Sequence, residues 1–248
     1  MAYFWLFKSD LPSGMGVKTF SLTHLSLLAV STATILLVIY IYRRQTDAGK
    51  RKIKWTATVL MLAVYFSRWL WVTGMGYPAY ILRLLPLHLC GFSVILETAA
   101  VASNKLVLKE FSYSLSLPGA IAAMTYPNLG PYPLLSFRFF EFAMTHTLLI
   151  LIPLLFVFGD GFRPNVRRLP QCIALFLVFA GFVYFINPLL GSNYLFLNYA
   201  EKGTILILFE KWFGSPGYLI PVILVFFFTW FVLYAPWELA LRRRGNKK

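Results

Sequence analysis

Residues 82–97 read LRLLPLHLCGFSVILE, a segment apolar enough for a lipid bilayer that nonetheless carries Arg83, His88, Cys90 and Glu97. Hydrocarbon penalises each of these groups, so such residues in a membrane helix face the bundle interior or a water-filled cavity. The stretch therefore predicts a helix packed inside a membrane bundle, its polar side chains turned away from lipid. The rest of the chain agrees. Of 248 residues 59% are hydrophobic and only 13% charged, with a mean hydropathy of +0.69. A soluble domain has roughly half its residues apolar and about a quarter charged. One all-α integral membrane domain over 1–248 is expected, located in the cell membrane.

Seven apolar segments lie near the roughly 20 residues that a bilayer core requires. They cover 22–42, 55–73, 82–102, 107–126, 137–158, 170–188 and 217–240. The fourth is the most polar, with Lys109, Glu110, several serines and the helix-disturbing pair Pro118–Gly119. The connection 189–216 contains EKGTILILFEKWF, too short to span, which reads as an interfacial or re-entrant helix closed by GSPG. The opening MAYFWLFKSDLPSGMG has neither the basic leader nor the apolar core of a signal peptide; its aromatics suit an interfacial anchor.

The net charge of +14 is no sign of nucleic-acid binding here, because the basic residues fall between apolar segments. Placing the 43–54 loop in the cytoplasm puts sixteen Lys and Arg on that side: Arg43, Arg44, Lys50, Arg51, Lys52, Lys54, Lys105, Lys109, Arg163, Arg167, Arg168, Arg242, Arg243, Arg244, Lys247 and Lys248. Only Lys8, Lys18, Lys202 and Lys211 lie opposite. That bias predicts the N-terminus outside and the C-terminus cytoplasmic.

On this topology the polar residues gather at one depth. Arg68, Arg83 and Arg138 fall near the outer ends of their spans. His24 opens the first span, and Asn187, Asn193 and Tyr194 bracket the outer end of the sixth. Helical rise puts His88 and Cys90 about 9–12 Å, and His146 about 13 Å, below the outer boundary. Arg83, Cys90 and Glu97 recur every seven residues with Ser93 between them, one stripe on the third span; Arg138, Glu141 and Thr145 form a second on the fifth. His88 lies about 200° around an ideal helix from Cys90, unless Pro86 distorts that turn. Cys172 is on the inner side, too far to pair with Cys90. Each residue alone has a plainer reading: arginines snorkel, a cysteine packs, a histidine bonds between helices. Glu97 is the hardest to explain so, and the convergence of acids, histidines, cysteine and arginines at one level points to a site.

LPLHLC at 85–90, FAMTHTLLIL around His146 and NPLLGSNYLFL at 187–197 resemble the YwaF-type integral membrane proteins and, more distantly, the transmembrane protein 164 family. The likeness runs over nearly the whole chain. It implies a lipid acyltransferase that works on phospholipids through a cysteine and a histidine, which fall on Cys90 and His146. The chain departs from the pattern at Gly91, where an acidic residue is expected. The chemistry is coherent: thioester formation needs a thiolate, and a histidine accepting the thiol proton supplies it. The arginines would hold a lipid phosphate, and Asn193 or backbone N–H groups an oxyanion. His24, His88, Glu97, Glu141, Asn187 and Tyr194 complete the expected substrate-facing set. A non-enzymatic lipid or small-solute carrier is the alternative, supported by Glu97, Pro118, Gly119 and Pro153 as places for helix breaks. A metal or haem site on His24, His88, His146 and Cys90 lacks any close ligand pair, so neither metal nor cofactor is expected.

Overall fold

The structure is a computed structural model that describes residues 3–12, 14–201 and 203–245, the side chains of 241–245 excepted. Lys202, Lys247, Lys248 and the side chains of Arg242, Arg243 and Arg244, all counted in the charge bias, thus lie outside the described residues. Among the described residues nine α-helices follow in order: α1 Leu22–Arg43, α2 Asp47–Gly74, α3 Leu89–Ser103, α4 Leu106–Phe111, α5 Leu117–Thr125, α6 Phe137–Leu154, α7 Leu169–Leu190, α8 Leu206–Phe213 and α9 Leu219–Gly245. No strand occurs among the described residues.

Local chemistry sets the boundaries. Ser21, Thr46 and Ser136 cap α1, α2 and α6, their hydroxyls accepting from the backbone N–H of His24, Gly49 and Phe139. Gly191 closes α7 in the left-handed conformation, at φ 55°. Pro153 cannot donate within α6, and the helix continues past it as a π turn, Leu155–Gly159. A second π turn, Ser112–Ser116, joins α4 to α5.

Among the described residues five helices are long and apolar enough to cross a membrane: Leu22–Arg43, Asp47–Gly74, Phe137–Gly159, Val166–Leu190 and Leu219–Ala240. They divide by burial. The apolar stretch of Phe137–Gly159 is 67% enclosed by protein, that of Leu219–Ala240 only 6%. So α6 is the central post, packed by α1, α2, α3 and α5, while α9 turns its apolar side chains outward. The interior is built from Met61, Val94, Leu115, Leu149, Ile152 and Leu155 of the inner helices.

The segment read as 82–102 is different. Residues Pro78–Arg83 form a 3-10 turn, the chain then bends through Pro86, and the α-helix begins only at Leu89. Helix α3 has 15 residues, about 22 Å of rise, short of a bilayer core of about 30 Å. His88 and Cys90 therefore sit at the start of a helix, not six and eight residues inside one, and the depth computed from Leu82 does not apply. Arg83 is off the α3 stripe for the same reason; Cys90, Ser93 and Glu97 keep it. The region 107–126 is one helical run through the π turn, buried in its first half, which is how Lys109, Glu110 and the serines are accommodated. After α7 comes the short helix α8, with no buried residue and an end at Gly214, φ 69°, as GSPG suggested.

Near the N-terminus the chain folds back over the ends of α2 and α6. Trp71 Nε1 donates to the Trp5 carbonyl at 2.7 Å, and the Phe137 N–H donates to the Phe4 carbonyl at 2.8 Å. Phe7 and Leu11 are buried against Trp71, Val72 and Tyr132, whereas Tyr3 and Trp5 remain exposed. The segment is partly a cap on the bundle rather than only an interfacial anchor.

Candidate active site

The site lies where α2 ends and α3 and α6 begin. Its frame is made by the loop after α7. Asn187, fully buried, is saturated: its amide donates to the Tyr194 carbonyl at 3.0 Å and to Asn198 Oδ1 at 2.7 Å, and its Oδ1 accepts from the Tyr194 N–H and from Ser192. Tyr194, so held, donates its hydroxyl to the Leu82 carbonyl at 2.7 Å and accepts from the Leu85 N–H at 3.1 Å. The following N–H, of Leu195, donates to His88 Nδ1 at 3.3 Å. One loop thus fixes the path of residues 82–88 into α3.

That last bond decides a tautomer. His88 Nδ1 accepts, so the hydrogen of the neutral ring is on Nε2. His88 is the residue before the first turn of α3, and its ring meets Tyr194 and Phe196. The 200° separation from Cys90 expected on an ideal helix is void, because His88 is not in the helix. His146 is the reverse case. Its Nδ1 is 2.8 Å from the Phe142 carbonyl, which can only accept, so Nδ1 carries the hydrogen and Nε2 has the free lone pair. One histidine offers a donor and the other a base.

Arg68 is the hub. It lies near the end of α2, and Arg138 opens α6, at the same end of the bundle as His88 and Cys90. Its guanidinium lies 3.8 Å from the centre of the Tyr65 ring, donates to the Leu84 carbonyl at 2.8 Å and stands 4.0 Å from Glu141 Oε1. Its Nε–H is buried with no partner. Arg138 pairs with the other oxygen of Glu141. Two guanidinium groups share one buried carboxylate, which leaves a local excess of one positive charge and an unused donor. Such a site is completed by an anion or a developing oxyanion.

Tyr65 was not anticipated. A Cβ at Gly91 would stand 2.2 Å from the Tyr65 hydroxyl and 2.7 Å from Pro86 Cα. The space an acidic side chain would need beside Cys90 is therefore taken by Tyr65, which accounts for glycine at 91. Its signal was the spacing of Tyr65 and Arg68, one turn apart on α2.

Other expected residues do different work. His24 Nε2 donates to the Met124 carbonyl at 2.8 Å and Nδ1 accepts from the Phe20 N–H at 2.9 Å, tying α1 to α5 with no ring nitrogen left over. Asn193 donates to the Tyr199 carbonyl and accepts from the Asn198 N–H, bracing its loop with one of its two amide hydrogens. Arg83 is exposed on the 3-10 turn. Glu97 is fully buried two turns along α3 from Cys90. Cys172 is buried beside α4, its Sγ 3.6 Å from the Val107 carbonyl. Among the described residues, no hydrogen bond joins Cys90 to His146, and no group of three or more His, Cys, Asp and Glu side chains is placed to hold a metal ion.

The fold and site define an all-helical membrane protein with a Cys, two His and an arginine pair clustered at one end of the bundle. The model of the TMEM164 family matches residues 19–234, and the chain belongs to that family. No curated protein and no solved structure matches it.

Proposed function

We propose that the protein is a phospholipid acyltransferase of the cell membrane, with seven spans, its N-terminus outside, and Cys90 as the acyl carrier. In this reading the third span is α3 together with the 3-10 turn Pro78–Arg83 and the bend that precede it, and the fourth is the α4–α5 run. The observation that carries the reading is the surplus positive charge of Arg68 and Arg138 over Glu141, with the Arg68 Nε–H unpartnered, at the end of the bundle that holds Cys90 and His88.

The transfer runs in two halves. His146 Nε2 takes the thiol proton, and Cys90 Sγ attacks the ester carbonyl of a phospholipid. Charge moves to the carbonyl oxygen, where the His88 Nε2–H and the Arg68 Nε–H are the available donors. The C–O bond breaks, His146 returns its proton to the leaving alkoxide, and a lysophospholipid departs from an acyl-Cys90 thioester. A second lysophospholipid hydroxyl, deprotonated by His146, reverses these steps, and the thiolate leaves. Arg138 and Arg68 hold the lipid phosphate.

The test is turnover of a labelled phospholipid with a lysophospholipid acceptor by purified protein. Cys90→Ala and His146→Ala are each expected to abolish transfer, the double variant to lose little more, and Cys172→Ala to change nothing. Full turnover by Cys90→Ala overturns the assignment and returns the site to lipid binding or carriage.

A further inference from the structure

We infer that the last two turns of α1 hold an anionic phospholipid of the bilayer, its phosphate on Arg43 and Arg44 and an acyl chain along Leu36 and Ile39. An open groove of about 450 Å³ lies there, lined by Leu36, Ile39, Tyr40, Arg43 and Arg44. Its volume is within the roughly 300–1,000 Å³ of a small-molecule site. Leu36 is 62% and Tyr40 52% exposed, and both arginines are exposed, so the described chain leaves the groove open.

The groove is remote from the acyl-transfer site. Tyr42, in the same last turn of α1, donates its hydroxyl to Asp160 Oδ1 at 2.5 Å, just past the end of the helical run Phe137–Gly159. Arg138 stands at the start of that run, and the helical rise over 138–159 separates the two ends by about 30 Å. Along α1 the lining residues follow helical spacing. Leu36, Tyr40 and Arg43 are at i, i+4 and i+7, and Ile39 and Arg43 at i and i+4, so they share one face. From Leu36 to Arg44 the rise is about 12 Å, and over that distance the lining passes from aliphatic through aromatic to cationic. A phospholipid has the same profile, with its chain toward the bilayer interior and its phosphate at the boundary.

Charge selects the kind of lipid. The Arg44 guanidinium lies 4.0 Å from the centre of the Tyr40 ring, a stack that fixes its plane and leaves the N–H edge for a ligand. Among the described residues neither Arg43 nor Arg44 has an ion-pair partner; the ion pairs there are made by Lys54, Arg68, Arg138 and Arg168. Asp47, the nearest acid along the chain, sits in the first turn of α2 and pairs with neither. Guanidinium groups take phosphate oxygens bidentately. No carboxylate lines the groove to receive the ammonium of a zwitterionic headgroup, so the match is to a lipid of net negative charge. A lone boundary arginine needs only to reach any headgroup; two over one apolar groove define a single lipid's place.

Photocrosslinking of the full-length protein in phosphatidylcholine bilayers tests the site. The bilayers carry a small fraction of phosphatidylglycerol with a diazirine on an acyl chain, and adducts are located by peptide mass spectrometry. We expect an adduct within residues 36–44 that unlabelled phosphatidylglycerol displaces and soluble glycerol 3-phosphate does not. A basic residue near a membrane surface contributes about fivefold to anionic-lipid binding, so the double variant Arg43→Gln, Arg44→Gln should lose roughly 30-fold. Lys at both positions should keep part of it. An equal adduct from a diazirine phosphatidylcholine means annular lipid only and overturns the proposal. So does an adduct that survives in the double Gln variant, or displacement by glycerol 3-phosphate, which would make the groove a site for soluble anions. Cys90→Ala should give the same adduct as the unaltered protein, so the result stands apart from acyl transfer.

Discussion

Gly91 shows how far a single position constrains the site. Replacing it with Ala drives a methyl into the Tyr65 hydroxyl and the Pro86 backbone, an overpacking cost of about 1–3 kcal/mol. The expected result is a lower melting temperature for Gly91→Ala, partly restored by adding Tyr65→Phe, since the proline contact remains. Arg68 is a second case. Its fork bonds the Leu84 carbonyl, stacks on Tyr65 and reaches toward Glu141 at once, so Lys, with a point charge and no plane, keeps only part of it. Lipid affinity should fall for Arg68→Lys and further for Arg68→Gln, whereas Arg83→Gln, at an exposed position, should leave it nearly unchanged. Equilibrium binding of a fluorescent phospholipid distinguishes the series. At this scale the sequence was informative about which residues to watch and poor on what they do. His24, Asn187 and Asn193 are polar at the right level, yet their hydrogen bonds go to Met124, Tyr194 and Tyr199. The partner of His24 is 100 residues away and leaves no local trace in the chain, whereas Asn187 and Asn193 bond within their own loop, whose irregular path no helix or strand period describes.

Among the elements, the helix ends that form the site were the hardest to read. Hydropathy sees 82–102 as one apolar segment because Leu82, Leu84, Leu85 and Leu87 are as apolar in a 3-10 turn as in a helix. Pro86 was the local cue, and Tyr194 supplies the rest by bonding Leu82 and Leu85. The apolar segments read from 22 and 137 do begin where α1 and α6 begin, at Leu22 and Phe137, each behind a serine cap. At the other end of the bundle, Glu110 of α4 ties three elements. It is 0% exposed and accepts from Arg168 Nε at 2.7 Å, the Asn165 N–H at 3.1 Å and the Tyr234 hydroxyl at 2.5 Å. Glu110→Ala leaves the part-exposed Arg168 guanidinium, the Asn165 N–H and the Tyr234 hydroxyl without their acceptor and should destabilise by about 1–3 kcal/mol. Denaturation of the purified variant should show it, with Glu110→Gln intermediate because it keeps an acceptor for Arg168.

For the whole molecule, the apolar pattern carried most of the information, since bilayer thickness acts on long stretches at once. Among the described residues five helices meet the length and hydropathy of a span. The seven-span, N-out arrangement is tested by single cysteines at positions 48 and 128 in a background without Cys90 and Cys172. Membrane-impermeant reagent applied to intact cells should label 128 and spare 48, and labelling of 48 from outside would reverse the orientation. The central claim is that Cys90 becomes acylated, and intact-protein mass spectrometry after incubation with a defined phospholipid tests it most directly. The account predicts an added mass of one acyl group, located on Cys90, removed by hydroxylamine, and absent from Cys90→Ala. An unmodified Cys90 in protein that is turning over lipid would contradict it.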